Sequence, residues 1–219
     1  MRPFLRTIAV LLSAALSLSP AYAFQTPLSD ESIREAYFLG QRHDDAAFAL
    51  DKYKRHLAPQ SAGPYISAVE FLTPFARATQ VSSQHGVGYS AQRPAKEHHQ
   101  QHEIVSVTVE VTLAKSYPAP LILSPGSESS HPRDSALGFA DFWHAVHVRV
   151  LAGDRLVSPT KLTGHPNHNC SFHGGCWLTG ATIQLEFPAD LFTSDSAQVH
   201  IIPPEGSEVR VDFDLSSLR

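Results

Sequence analysis

Apolar and polar residues change rhythm along this chain, and the change divides it. Near the start, Ser29 stands before Asp30, Glu31 and Ser32, flanked by Leu28 and Ile33. A hydroxyl there caps free backbone N–H groups, the acids suit the positive end of a helix dipole, and Leu28 staples onto Ile33. The pattern predicts a helix ending near Gly40. Ala46, Ala49, Leu50, Tyr53 and Leu57 then recur at helical spacing, so a second helix is expected from Asp44 or Asp45. Lys52, Lys54, Arg55 and His56 fall at its C-terminal end, and Pro59 closes it. Gly63-Pro64 marks a turn and residues 65–72 read as a strand. Thr73-Pro74 opens a short helix to about residue 80, with Thr73 as its cap. Residues 82–103 are polar and aperiodic and read as a loop.

From residue 105 the period falls to two. Val105, Val107, Val109, Val111 and Leu113 alternate with Ser106, Thr108, Glu110 and Thr112, the mark of a half-buried strand. A short edge strand is expected over 121–123. Strands over 142–151 and 155–158 are joined by a tight turn at Ala152-Gly153-Asp154. Further strands are expected over 181–187, 199–202 and 209–215, while 124–135 and 163–176 read as loops. Seven or eight strands with no helix between the later ones argue against parallel βαβ units. They predict a mainly β fold: an antiparallel β-sandwich, immunoglobulin-like in the broad sense, with the N-terminal helices packed on it. The expected organisation is a helical segment over 24–62 and a sandwich domain over 63–219, with the polar loop at 82–103 inserted in it.

Residues 1–23 have a different character. A basic start, Met1 to Arg6, precedes an apolar run from Thr7 to about Leu18 and small residues at Ala21 and Ala23. This is the pattern of a secretory signal peptide cleaved before Phe24. The apolar run is shorter than the roughly 20 residues a membrane helix needs, and no later segment is apolar enough to span. No Cys lies near the cleavage point to carry a lipid. A periplasmic or secreted protein is expected, with no membrane span in the mature chain.

Losing two arginines with that segment takes Lys plus Arg from 17 to 15 against 21 Asp plus Glu, and the formal charge from −4 to −6. An acidic balance argues against nucleic acid as partner. An extracytoplasmic protein or a small ligand fits better.

Candidate chemistry concentrates in residues 165–177. The two cysteines, Cys170 and Cys176, lie here with His165, His168 and His173. One reading is a local disulfide: an exported pair oxidises, and Gly174-Gly175 lets the backbone turn back. The other is a zinc or copper site, since His and Cys are the ligands those ions prefer. Even with the cysteines bridged, His165, His168 and His173 remain as metal ligands, with Asn167 or Asn169 nearby. The spacing lacks the C-x-x-C pair of a zinc finger. Asn169-Cys170-Ser171 matches a glycosylation sequon, a three-residue pattern that recurs by chance.

Other groups carry less. His98, His99 and His102, with His85 upstream, read as part of the solvated loop. His144 and His147 fall on opposite faces of the expected strand, one of them suited to a core position. Asp212 and Asp214 share a strand face and read as a solvated surface. Phe139, Phe142, Trp143, Phe172 and Trp177 either line a groove at one end of the sandwich or fill its core. Nucleophile elbow, zincin helix, phosphate loop and dinucleotide fingerprint are all missing from the sequence, which names no catalytic residue.

The stretch from Ile33 to Arg42, with Gly63 to Ser67 and Leu72 to Phe75, resembles a group of exported bacterial proteins of unassigned function. The likeness covers about a quarter of the chain. It implies a bacterial setting and transfers no catalytic residue. The leading functional reading is a non-catalytic exported binding or interaction protein. The alternatives are metal binding or handling through 165–176, and a hydrolase whose site has no recognisable motif.

Overall fold

The computed structural model describes residues 23–84, 102–114, 121–123, 142–170, 175–204 and 206–219. The expected leader, most of the 82–103 loop, the 124–135 loop, His85, His98, His99, Phe139, Phe172 and His173 lie outside the described residues. The fold is mainly β. Among the described residues, three helices, α1 (Asp30–Gly40), α2 (His43–Asp51) and α3 (Pro74–Gln84), accompany ten strands. The strands are β1 (Lys54–His56), β2 (Pro64–Leu72), β3 (Ile104–Leu113), β4 (Leu121–Leu123), β5 (His147–Ala152), β6 (Arg155–Val157), β7 (Lys161–Cys170), β8 (Gly175–Pro188), β9 (Ser196–Ile202) and β10 (Val209–Asp214).

Every pairing among them is antiparallel. One sheet runs β1-β2-β3-β8, with β7 on the far edge of β8. β4 pairs with the first residues of β8 on the edge that β3 occupies further along. The other sheet runs β10-β9-β5-β6. Val105, Val107, Val109 and Val111 of β3 point the same way as Ile183, Leu185 and Phe187 of β8, and all are buried. They join Val150 of β5, Val199 and Ile201 of β9, and Phe213 of β10 in one hydrophobic cluster. Phe71, Phe192 and Phe213 fill its middle, with Phe71 5.3 Å from each of the other two rings. Where the sequence alternates with a period of two, in β3, β8, β9 and β10, the strand turns one apolar face to a core shared by both sheets.

The helix start is as expected. Ser29 accepts a hydrogen bond from the Ser32 amide, and Leu28 and Ile33 are buried together with Ala36 and Phe75 in a second, smaller cluster. Thr73 caps α3 by accepting from the Ala76 amide. α1 packs on α3, which lies against β2 and β3. Gly153 takes a positive φ of 58° in the β5–β6 turn, a conformation that favours glycine.

Three expectations need correction. The second helix stops at Asp51. Residues 54–56 form strand β1 instead, because the backbone there pairs with Ala68, Val69 and Glu70 along the edge of β2. Residues 142–145 form a 3₁₀ turn ahead of β5, closed by the Val146 amide on the Trp143 carbonyl. That turn drops the Trp143 ring onto Gly164 of β7. The segment 163–176, expected as a loop, is mostly strand: β7 pairs with β8 along its whole length. β7 is an edge strand largely exposed to solvent, so it carries no apolar alternation to reveal it. The 24–62 segment is accordingly tied into the larger sheet through β1.

Candidate functional site

The β7–β8 hairpin closes at Cys170 and Cys176, directly opposite each other and bridged as a disulfide. Both thiols are consumed, so neither is a metal ligand while the bridge lasts. His165 and His168 are exposed on β7, and three positions of strand place them on opposite faces. No group of three or more His, Cys, Asp or Glu suited to a metal ion occurs among the described residues. His144 is exposed with its ring stacked 3.6 Å from that of Trp143, and His147 is exposed at the start of β5. Neither is the core histidine the sequence suggested. His102 is exposed. Asp212 and Asp214 lie exposed on β10, where Asp214 accepts from the Ser216 amide to cap a short 3₁₀ turn.

The more informative geometry sits at the same end of the larger sheet, on its outward face. Cross-strand partners share a face, and one row runs Tyr65, Thr112, Gly180 and Asn167 across β2, β3, β8 and β7. Asn169 lies two residues beyond Asn167 and pairs with Trp177, so Trp177 belongs to this face as well. Trp177 is 38 % exposed, whereas Trp143, the other tryptophan, is 9 % exposed in the core. Between Tyr65, Trp177 and the 59–61 segment lies an open groove of about 680 Å³. Its remaining wall includes Thr112, Leu113 and Thr179.

Two β-bulges shape it. The register of β2 on β3 skips Ser67, and that of β8 on β7 skips Thr179. Bulges re-aim side chains and often adjoin working sites. Here both bulged residues enter the groove's hydrogen bonds. Thr112 Oγ1 donates to Ser67 Oγ at 2.8 Å, and Ser67 Oγ donates on to the Glu110 carbonyl at 3.2 Å. Thr179 Oγ1 donates to the Asn167 carbonyl at 3.1 Å.

Further along the same face are Lys54, Glu70 and Glu110. Lys54 Nζ meets Glu110 Oε1 at 2.7 Å. Burial pushes the Glu70 carboxyl above its ordinary range; Lys54 opposes this and the neighbouring Glu110 adds to it. At the opposite end Glu186 takes Arg77 of α3 and Lys161 of β7 at 3.8 and 3.9 Å.

Of the aromatic residues singled out in the sequence, Trp177 lines the groove, Trp143 is in the core and Phe142 packs against it. Tyr65, Thr112 and Thr179 escaped sequence reasoning. Each reads alone as an ordinary strand residue, and only the register and the bulges bring them together.

No protein-family model matches the chain, and no curated protein matches its sequence. Among the described residues, no helix is long and apolar enough to cross a membrane.

Proposed function

We propose that this protein is an exported, non-catalytic β-sandwich that binds a ligand at the disulfide-clipped end of its larger sheet. The observation that carries the reading is the open groove walled by Tyr65 and an exposed Trp177. An exposed aromatic beside hydroxyl-bearing residues is the usual chemistry of a recognition surface. The sandwich reading is supported by two antiparallel sheets that share one core. The fold alone names no ligand, since sandwiches host unrelated functions. Export is supported by the leader-like residues 1–23 and by the Cys170–Cys176 bridge, which suits an oxidising compartment.

The test has two arms. Intact mass of protein secreted through its own leader should match a chain starting at Phe24 and lighter by two hydrogens than the reduced form. Binding to defined soluble probes should then perturb tryptophan fluorescence in the wild type and not in Trp177→Phe. Sustained turnover of an ester, glycoside, peptide or phosphoester substrate, abolished by one substitution, would replace binding with catalysis.

A further inference from the structure

We infer that the groove takes a neutral carbohydrate chain, lying across Trp177 and Tyr65. This rests on the groove being the binding site proposed above, and names its ligand class.

Three observations select that chemistry. First, Pro59, Gln60, Ser61, Tyr65, Thr112 and the rest of the described lining carry no charged side chain. A charged ligand would lose hydration and gain no counter-charge from these residues, which favours a neutral partner. Second, the walls combine an indole and a phenol ring with hydroxyl groups. A sugar ring matches both: its C–H face packs on an aromatic ring, and its rim needs hydrogen-bond partners.

The third observation separates a sugar from a proline-rich peptide, which also favours aromatic grooves. The Thr112 and Thr179 hydroxyl protons are already committed. Thr179 faces a backbone carbonyl, which only accepts. Thr112 faces Ser67, whose own proton goes to the Glu110 carbonyl. Both threonines therefore offer lone pairs, and a ligand must bring donors to meet them. Sugar hydroxyls donate. An extended polyproline segment presents carbonyl acceptors and no backbone N–H, so it leaves these oxygens unanswered. The space, about 680 Å³ and open to solvent, has room for more than one sugar ring.

The experiment titrates the full oxidised protein with cellohexaose, chitohexaose, maltohexaose, hexagalacturonate and decaproline, read by calorimetry and tryptophan emission. At least one neutral hexasaccharide should bind and shift the emission. Its affinity should stay constant on raising salt from about 0.05 to 0.5 M, since no ion pair is made. Trp177→Ala and Tyr65→Ala should each weaken it about tenfold or more. Thr112→Val and Thr179→Val, which keep shape and remove the acceptor, should each weaken it about fivefold. Each valine variant also loses one internal hydrogen bond, to Ser67 or to the Asn167 carbonyl, so a small drop in melting temperature is expected, and wild-type circular dichroism with a cooperative melt shows that the fold is kept.

No binding by any neutral hexasaccharide at 10 mM overturns the inference. Trp177-dependent binding of decaproline or hexagalacturonate in place of the sugars overturns it too, while leaving the groove as the binding site. Hexasaccharide binding that is indifferent to Trp177→Ala and Tyr65→Ala removes both the ligand assignment and the groove.

Discussion

A Cβ placed on Gly180 would sit 2.0 Å from the Val111 carbonyl oxygen of the neighbouring strand. One placed on Gly164 would meet the Trp143 ring at 2.4 Å. The two collisions differ in what can yield. A ring at the edge of the core can tilt, but the backbone of β3 is fixed by its pairing on both sides. Gly164→Ala should therefore cost about 1–3 kcal/mol and Gly180→Ala more than that, measured by urea unfolding. Equal losses would show that the β3–β8 spacing is softer than the contact implies. Glu70 gives a second prediction at this scale. Its carboxyl is held above the ordinary range, first by burial. The folded state then holds the proton more tightly than the unfolded chain. Its contribution to stability is complete below the ordinary carboxylate pKa and is lost as pH rises through the raised value. Glu70→Gln removes that loss and leaves Lys54 paired with Glu110. The variant should gain on the wild type between pH 4 and pH 7.5 in matched urea titrations. A pH-independent difference between the two would mean that Glu70 titrates normally.

Elements with one clear apolar face were legible in the sequence, and elements without one were not. The valine alternation of β3 and the apolar alternation of β8 over 181–187 are driven by core burial, so they appear as a period of two. β7 has no such face: His165, Pro166, Asn167, His168 and Asn169 pair through the backbone at a sheet edge, a force that leaves little trace in side-chain pattern. β1 was hidden by a different accident. Tyr53 and Leu57 continue a helical spacing from α2, yet Tyr53 is buried in the main cluster and its hydroxyl donates to the Arg219 carbonyl, a partner 166 residues away. The candidate site divides the same way. The disulfide and Trp177 were visible as residue types, whereas Tyr65, Thr112 and Thr179 converge through register. The disulfide's share can be measured. Closing a ring this small removes about 2 kcal/mol of unfolded-chain freedom, so a Cys170→Ser, Cys176→Ser double variant should lose about that much in urea unfolding. Wild type treated with reductant should lose the same. A loss near zero in both would mean that the hairpin is held by its strand pairing alone.

At the largest scale, the described residues form two buried clusters of unequal size. The larger joins both sheets; the smaller holds Leu28, Ile33, Ala36 and Phe75 among the helices. Four side chains are too few to hold a helical layer alone, so it depends on its attachment to the sheets. Arg219 is prominent in that attachment. Its guanidinium pairs with Glu35 of α1 and lies 4.8 Å above the Phe75 ring, and its carbonyl accepts from Thr73 and Tyr53. The ion pair is half exposed, so solvent discounts it, and with the ring contact Arg219→Ala should cost about 1 kcal/mol. That cost should fall on the helices. Amide exchange should speed up in α1 while β3 and β8 keep their protection. Phe192→Ala makes the opposite prediction. Phe192 is fully buried against Phe24, Phe71 and Phe187, so its loss should lower protection throughout by about 3–5 kcal/mol. If Arg219→Ala slowed nothing down and sped up β3 as much as α1, helices and sheets would open as one unit, and the smaller cluster would be a part of the larger one's cooperativity rather than a layer resting on it.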